Sequence, residues 1–194
     1  MAEETAERGE LNTQQQRVLL DLARRTIEQY VTDRSVPELP EGDPAFSAER
    51  AVFVTLHKDG QLRGCIGGLE AQHPLAEAVR SSAVSAATQD PRFPPVSPDE
   101  LDDIEIEVSV LSPLEKVESP DEIVVGLHGV MVSEGMRRGV FLPQVAPEQG
   151  WDRETMLSYL CAHKAGLPAD AWKAGADLYV FTTQVFSEED LPAT

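Results

Sequence analysis

An α+β domain, built on a largely antiparallel β-sheet flanked by helices, is the fold class that this sequence predicts. Two patterns carry the prediction. Two or three substantial segments show helical apolar spacing, and several short segments alternate or are rich in β-branched and aromatic residues, joined by Gly-containing turns. A third observation bounds the size. The chain has 194 residues, 41% of them hydrophobic and 26% charged, enough for one well-formed core or a core with a small subdomain.

In chain order, residues 1–10 are acidic and polar and read as a disordered tail. Thr13-Gln14-Gln15-Gln16 has the form of a capping box, with the Thr13 hydroxyl as the cap. Val18, Leu19, Leu22, Ala23, Thr26, Ile27, Tyr30 and Val31 then follow at helical spacing. Residues 33–48 hold Pro37, Pro40, Gly42 and Pro44 and read as a surface loop. Ala51 to His57 is a strand by composition, and Lys58-Asp59-Gly60-Gln61 supplies the tight turn of a hairpin. With Asp59-Gly60 as a two-residue loop, Leu56 is expected to face Arg63, and Val54 to face Cys65. His73-Pro74 opens a second helix, with Pro74 at its first position and many small residues along it. Gln89 to Pro98 is rigid and non-regular, and Ser97-Pro98-Asp99-Glu100 is a second capping box. Ile104 to Val110 is the clearest strand, with Ile104, Ile106, Val108 and Val110 on one face and Glu105, Glu107 and Ser109 on the other. Val117 to Val125 is ambiguous. Gly129–Ser133 and Gly139–Leu142 form a further hairpin around residues 134–138. Asp152 caps a helix that buries Met156, Leu157, Leu160 and Cys161 and ends at Gly166, and Asp177 to Phe186 closes the chain as one strand. There are no internal repeats.

The formal charge of −18 bears on function. A phosphate backbone or an anionic membrane surface is repelled over most of such a surface, so neither nucleic acid nor membrane is an expected partner. No apolar run approaches a membrane-spanning length and no signal peptide opens the chain. Two distant cysteines without a Cys-rich framework suit free thiols in a reducing, cytoplasmic setting.

The chemistry concentrates in Leu62-Arg63-Gly64-Cys65-Ile66-Gly67-Gly68. Alternation along a strand puts Arg63 and Cys65 on one face, roughly 6–7 Å apart. A guanidinium there favours a thiolate, while Gly64, Gly67 and Gly68 leave backbone N–H groups open to a ligand. One reading is a reactive or ligand-touching cysteine; the other is a small hydrophobe in a Gly-rich bend.

Leu62-Arg63-Gly64-Cys65-Ile66-Gly67, preceded by Phe53-Val54-Thr55-Leu56 and a Gly turn, resembles the signature of the AMMECR family, also called AmmeMemoRadiSam system protein A. Further blocks agree in order: Asp90 to Val96, Ile104 to Pro113, His128-Gly129-Val130, Phe141 to Ala146, and Lys164 to Leu167. The resemblance spans about residues 12–187, and residues 11–187 are read as the family's domain, with 188–194 as a tail. It implies a larger α/β part with a smaller subdomain. It implies no reaction.

Several residues gain weight from it. Glu107 falls where the family's strand carries an acid before Val-Ser-Val-Leu, and His128 matches the family's His-Gly. Each also has a plain alternative, a solvent-facing carboxylate and a turn residue. Cys65 as nucleophile, His128 as proton shuttle and Glu107 as orienter would make a Cys/His/acid trio. Arg63 is the expected anion clamp; Arg92, paired with Asp90 across a Pro corner, is a second guanidinium able to meet a carboxylate. Cys161 is a possible second thiol whose default is core packing. His57, His73 and His163 read as an edge-strand, a helix-start and a helix-surface residue. No metal-ligand spacing, Walker loop, dinucleotide fingerprint or serine-hydrolase elbow occurs, and no cofactor is evident. Two functions follow: a Cys-dependent enzyme acting on a small anionic or carbonyl substrate, or, on the resemblance, a non-catalytic subunit working with Memo-like, dioxygenase-fold and radical-SAM proteins.

Overall fold

The structure, a computed structural model, describes residues 10–191. The expected disordered tail at 1–10 lies almost wholly outside the described residues, as does the end of the expected tail at 188–194. The described chain divides into two compact units, one formed by residues up to Ser112 together with those from Gln184 onward, the other by Pro113–Thr183. The fold is α+β, with two four-stranded antiparallel sheets.

In the first unit, helix α1 (Thr13–Asp33) starts one residue earlier than the sequence suggested. Asn12, not Thr13, is the cap: its side chain accepts from Gln15 N–H at 3.0 Å, and Gln15 Oε1 accepts from Asn12 N–H at 2.9 Å. Thr13 is already helical, so the box lies one register back. A short helix α2 (Pro44–Ser47), capped by Asp43, interrupts the expected loop. Strands β1 (Val52–Lys58) and β2 (Gln61–Gly67) form the hairpin, and Asp59 and Gly60 both take the positive φ that a primed two-residue turn requires. Helix α3 (Leu75–Thr88) follows, then a 3-10 segment (Pro98–Asp103) opened by the Ser97–Glu100 capping box, and strand β3 (Ile104–Leu111).

The expected closing strand is in fact two. β7 (Asp177–Phe181) and β8 (Thr183–Ser187) break at Thr182 and join different sheets. Alternation alone conceals such a break, because both halves alternate. β8 completes the first sheet, in the order β2-β1-β3-β8. One face of that sheet carries Val54, Leu56, Ile106, Val108 and Val110, all fully buried in one core with Leu19, Leu22 and Ile27 of α1 and Leu75, Val79 and Ala83 of α3. Residue 188, the first of the expected tail, is held in place: Glu188 takes both Nε (2.8 Å) and Nη2 (2.5 Å) of Arg24 and accepts from Ile106 N–H at 2.9 Å.

In the second unit the order is β4-β7-β5-β6. The ambiguous stretch resolves into β4 (Glu115–Val117) and a 3-10 turn at Pro120–Glu122. β5 (Gly129–Glu134) and β6 (Arg137–Phe141) pair up to Glu134 and Arg137, leaving a tighter turn of only Gly135 and Met136. Helices α4 (Val145–Gln149), α5 (Arg153–Tyr159) and α6 (Ala171–Ala174) surround a separate core that includes Val132, Leu157 and Leu160. Asp152 caps α5 as expected, and α5 runs into a π-helical turn, Leu160–Ala165. No helix among the described residues is long and apolar enough to cross a membrane.

Candidate functional site

The face of the first sheet opposite its core is polar and half-buried. β1 contributes Phe53, Thr55 and His57; β3 contributes Glu105, Glu107 and Ser109. β1 and β3 pair in unbroken register, which sets Thr55 opposite Glu107 and His57 opposite Glu105.

β2 does not follow the simple hairpin register. A bulge shifts the pairing between Leu56 and His57, so that Leu56 meets Gly64, Thr55 meets Cys65 and Val54 meets Ile66. The expected pairs Leu56–Arg63 and Val54–Cys65 are therefore corrected by one residue, with Arg63 as the extra residue of the bulge. The shift has a packing reason. In the observed register Gly64 points into the core side, where a Cβ would overlap the Ala86 carbonyl oxygen of α3, and Ile66 joins the core. Only glycine lets the helix lie that close. Cys65 is thereby turned onto the polar face.

There the Thr55 hydroxyl donates to Cys65 Sγ at 3.3 Å. Cys65 and Glu107 flank Thr55 from the two neighbouring strands, so their Cα atoms stand about 10 Å apart by ordinary strand spacing. The small Thr55 side chain is the floor between them.

β2 is an edge strand, and its outer backbone groups at Cys65 are claimed by the Asp90-Pro91-Arg92 corner. Asp90 accepts from Cys65 N–H at 2.8 Å, and Arg92 Nη2 donates to the Cys65 carbonyl at 3.3 Å. Asp90 also accepts from Arg92 N–H (3.0 Å), Nε (2.9 Å) and Nη2 (2.6 Å). The Asp90 side chain is only 2% exposed, whereas that of Arg92 is 52% exposed. The Arg92 bonds, followed by the Cys65 and Arg92 backbone donors, hold the Asp90 carboxyl well below the usual carboxylate range despite burial. Arg92 is pushed up in turn, first by its bond to Asp90 and further by the neighbouring Cys65 side chain. Among the described residues Arg92 Nη1 makes no hydrogen bond.

Arg63 is engaged elsewhere. Its Nε and Nη2 form a two-pronged bond to Glu100, both at 3.0 Å, and its Nη1 donates to the Pro94 carbonyl at 3.0 Å. Glu100 also accepts from Lys58 Nζ at 3.3 Å and Ser97 N–H at 3.1 Å, and the Arg63 bond is the first cause that draws its carboxyl down to about 2. With a side chain 12% exposed, Arg63 ties the bulge to the 3-10 segment.

The glycines divide by what approaches them. At Gly64 and Gly67 the neighbour is the protein's own backbone, Ala86 and Val52–Phe53 respectively, while Gly68 faces open space. Gly67 and Gly68 border a cavity of about 220 Å³ that Ser81, Ser82 and Ser85 of α3 also line. Cys65 is not among its lining residues.

His128 belongs to the second unit, where its Nδ1 accepts from Val124 N–H at 3.2 Å. Cys161 is fully buried there, and burial pushes its thiol up. Of the expected set, the first unit holds Cys65, Arg63, Arg92, Glu107 and the three glycines; Arg92 touches the Cys65 backbone, and Glu107 stands on the same sheet face across Thr55. The unit adds Thr55 and Asp90, which sequence reasoning did not single out as site residues. Thr55 had a signal, since it shares a strand with Phe53 and His57 and needs only the bulge to meet Cys65. Among the described residues no group of three or more His, Cys, Asp and Glu side chains is placed to hold a metal ion.

A family model described as AMMECR1 matches residues 20–186. A protein of Methanothermobacter thermautotrophicus is 48% identical over 187 residues, covering 92% of this chain and 97% of its own. Protein Mbar_A1807 of Methanosarcina barkeri is 45% identical over 183 residues, 90% of either chain. Among solved structures, the crystal structure of the uncharacterized protein PH0010 from Pyrococcus horikoshii superposes with a TM-score of 0.77 at 41% identity, covering 91% of this chain and 92% of that one.

Proposed function

The chain belongs to the AMMECR1 family, and from the polar face of its first sheet we propose that it is an enzyme that uses Cys65 as a nucleophile toward a small carbonyl compound. One observation carries the reading. Cys65 is turned out of the core by a bulge, its Sγ accepts a hydrogen bond from Thr55, and both backbone groups on its outer side are fixed by a buried carboxylate and its arginine. A cysteine serving only as packing needs none of these contacts.

The roles follow from position. Thr55 donates to the sulfur and steadies its charged form. Glu107, across Thr55, takes the thiol proton through a water and passes it to the substrate's carbonyl oxygen as the sulfur adds. Asp90 and Arg92 hold β2 so that the sulfur keeps one orientation, the preorganisation such a site needs.

Alkylation of the native protein by iodoacetamide, read by peptide mass spectrometry, tests the proposal with Cys161 as internal reference. Cys65 is expected to label in the folded protein, more slowly in Thr55→Val, while Cys161 labels only on unfolding. Labelling of Cys65 only together with Cys161 would overturn the reading. The partner-subunit role would then be the next to test.

A further inference from the structure

The substrate class at this site can be narrowed, on the premise that Cys65 is the nucleophile. We infer that Arg92 anchors a carboxylate immediately beside Cys65, so that the substrate is a 2-oxo acid. Of the two arginines near the cysteine, Arg63 has Nε, Nη1 and Nη2 all bonded within the protein and a side chain 12% exposed. Arg92 is the opposite case. Asp90 grips its Nε and Nη2, Nη2 also reaches the Cys65 carbonyl, and its side chain is 52% exposed, with Nη1 left to a ligand. The buried Asp90 is the positioning residue. It fixes the guanidinium plane and the Cys65 backbone with the same two oxygens, so the cation is tied to the main chain that carries the sulfur.

The closeness of the pair sets the spacing in the ligand. Arg92 Nη2 lies 3.3 Å from the main-chain carbonyl of Cys65, and the Cys65 side chain acts on the guanidinium, so carboxylate and electrophile are taken as near neighbours in the ligand. A carbonyl directly attached to the carboxylate fits. The thiol then adds across that C=O: a C–S bond forms at C2, the π pair moves to oxygen, and the thiol proton ends on that oxygen. The product is a hemithioketal, with no change of oxidation state and no co-reactant. The surrounding charge sharpens the inference, since a chain of formal charge −18 gives an anion no general reason to approach.

The test compares two reagents of nearly equal size on the full-length wild-type protein. Alkylation rates of Cys65 with iodoacetate and with iodoacetamide are expressed as a ratio, against the same ratio for free N-acetylcysteine. The expected result is a ratio several-fold higher on Cys65, lost in Arg92→Gln and reduced in Asp90→Asn. Pyruvate is expected to slow iodoacetamide labelling of Cys65 where acetone at equal concentration does not. A Cys65 ratio equal to or below that of the free thiol overturns the inference, and this comparison needs no variant to fold. Cys65 inert to both reagents in the folded protein is a different result: it removes the nucleophile itself.

Discussion

Asp90 and Glu100 are carboxylates of the first unit that the fold holds in their charged form, each by an arginine. Both ionise at lower pH folded than unfolded, Glu100 at about 2 and Asp90 well below the usual carboxylate range. Ordinary carboxylates of an unfolded chain take up protons near pH ~4. As pH falls through that range, the unfolded state therefore binds protons that the folded state refuses, and stability declines. The contribution is fully present above the unfolded values and is lost toward about pH 2. Urea midpoints are expected to fall between about pH 5 and pH 3, and to fall less steeply in Glu100→Gln, which starts from a lower midpoint at pH 7. An unchanged slope in that variant would place the pH sensitivity in other groups. At this scale the sequence was partly readable. Asp90 and Arg92 are neighbours across a proline, so their contact could be expected. Arg63–Glu100 joins a hairpin to a 3-10 turn. Nothing local marks the two as partners, which is why Arg63 looked available for an anion.

At the scale of elements, the bulge in β2 decides which side chains reach the polar face, and Gly64 is what permits it. A methyl group at Gly64 would run into the Ala86 carbonyl of α3, whereas one at Gly68 meets nothing within 4 Å. Gly64→Ala is thus expected to destabilise by about 1–3 kcal/mol through overpacking, and Gly68→Ala to stay within about 0.5 kcal/mol of wild type. Chemical denaturation of the two variants measures the difference, and equal midpoints would mean that α3 does not rest on β2 at this point. The elements themselves were largely legible: the Asp59-Gly60 turn, the alternation of β3 and the Asp152 cap each have a local cause. The bulge was not, because one extra residue changes register without changing composition. The break between β7 and β8 was hidden in the same way. The π-helical turn after α5 has no signal in apolar spacing, which reads the same through one inserted residue.

For the whole molecule, the relevant opposition is between a net charge of −18 and the half-exposed guanidinium of Arg92 beside Cys65. Composition made the first plain and hid the second, because a single fixed arginine does not alter a sum. The two act over different distances. Repulsion from the summed charge extends about 30 Å at 0.01 M salt and only about 8 Å at 0.15 M, while the contact between Arg92 and a carboxylate is made at hydrogen-bond range, where mobile ions screen it far less. Adding salt should therefore remove the barrier to approach before it weakens the anchor. The alkylation of Cys65 by iodoacetate is expected to speed up between those two salt concentrations, while that by neutral iodoacetamide stays flat. In Arg92→Gln the iodoacetate rate should still rise with salt, from a lower starting point, since the far field is unchanged by more than one charge in eighteen. A rate with iodoacetate that falls with salt in the wild-type protein would mean that attraction already governs the approach. The local field around Cys65 would then be positive over a wider region than Arg92 alone supplies.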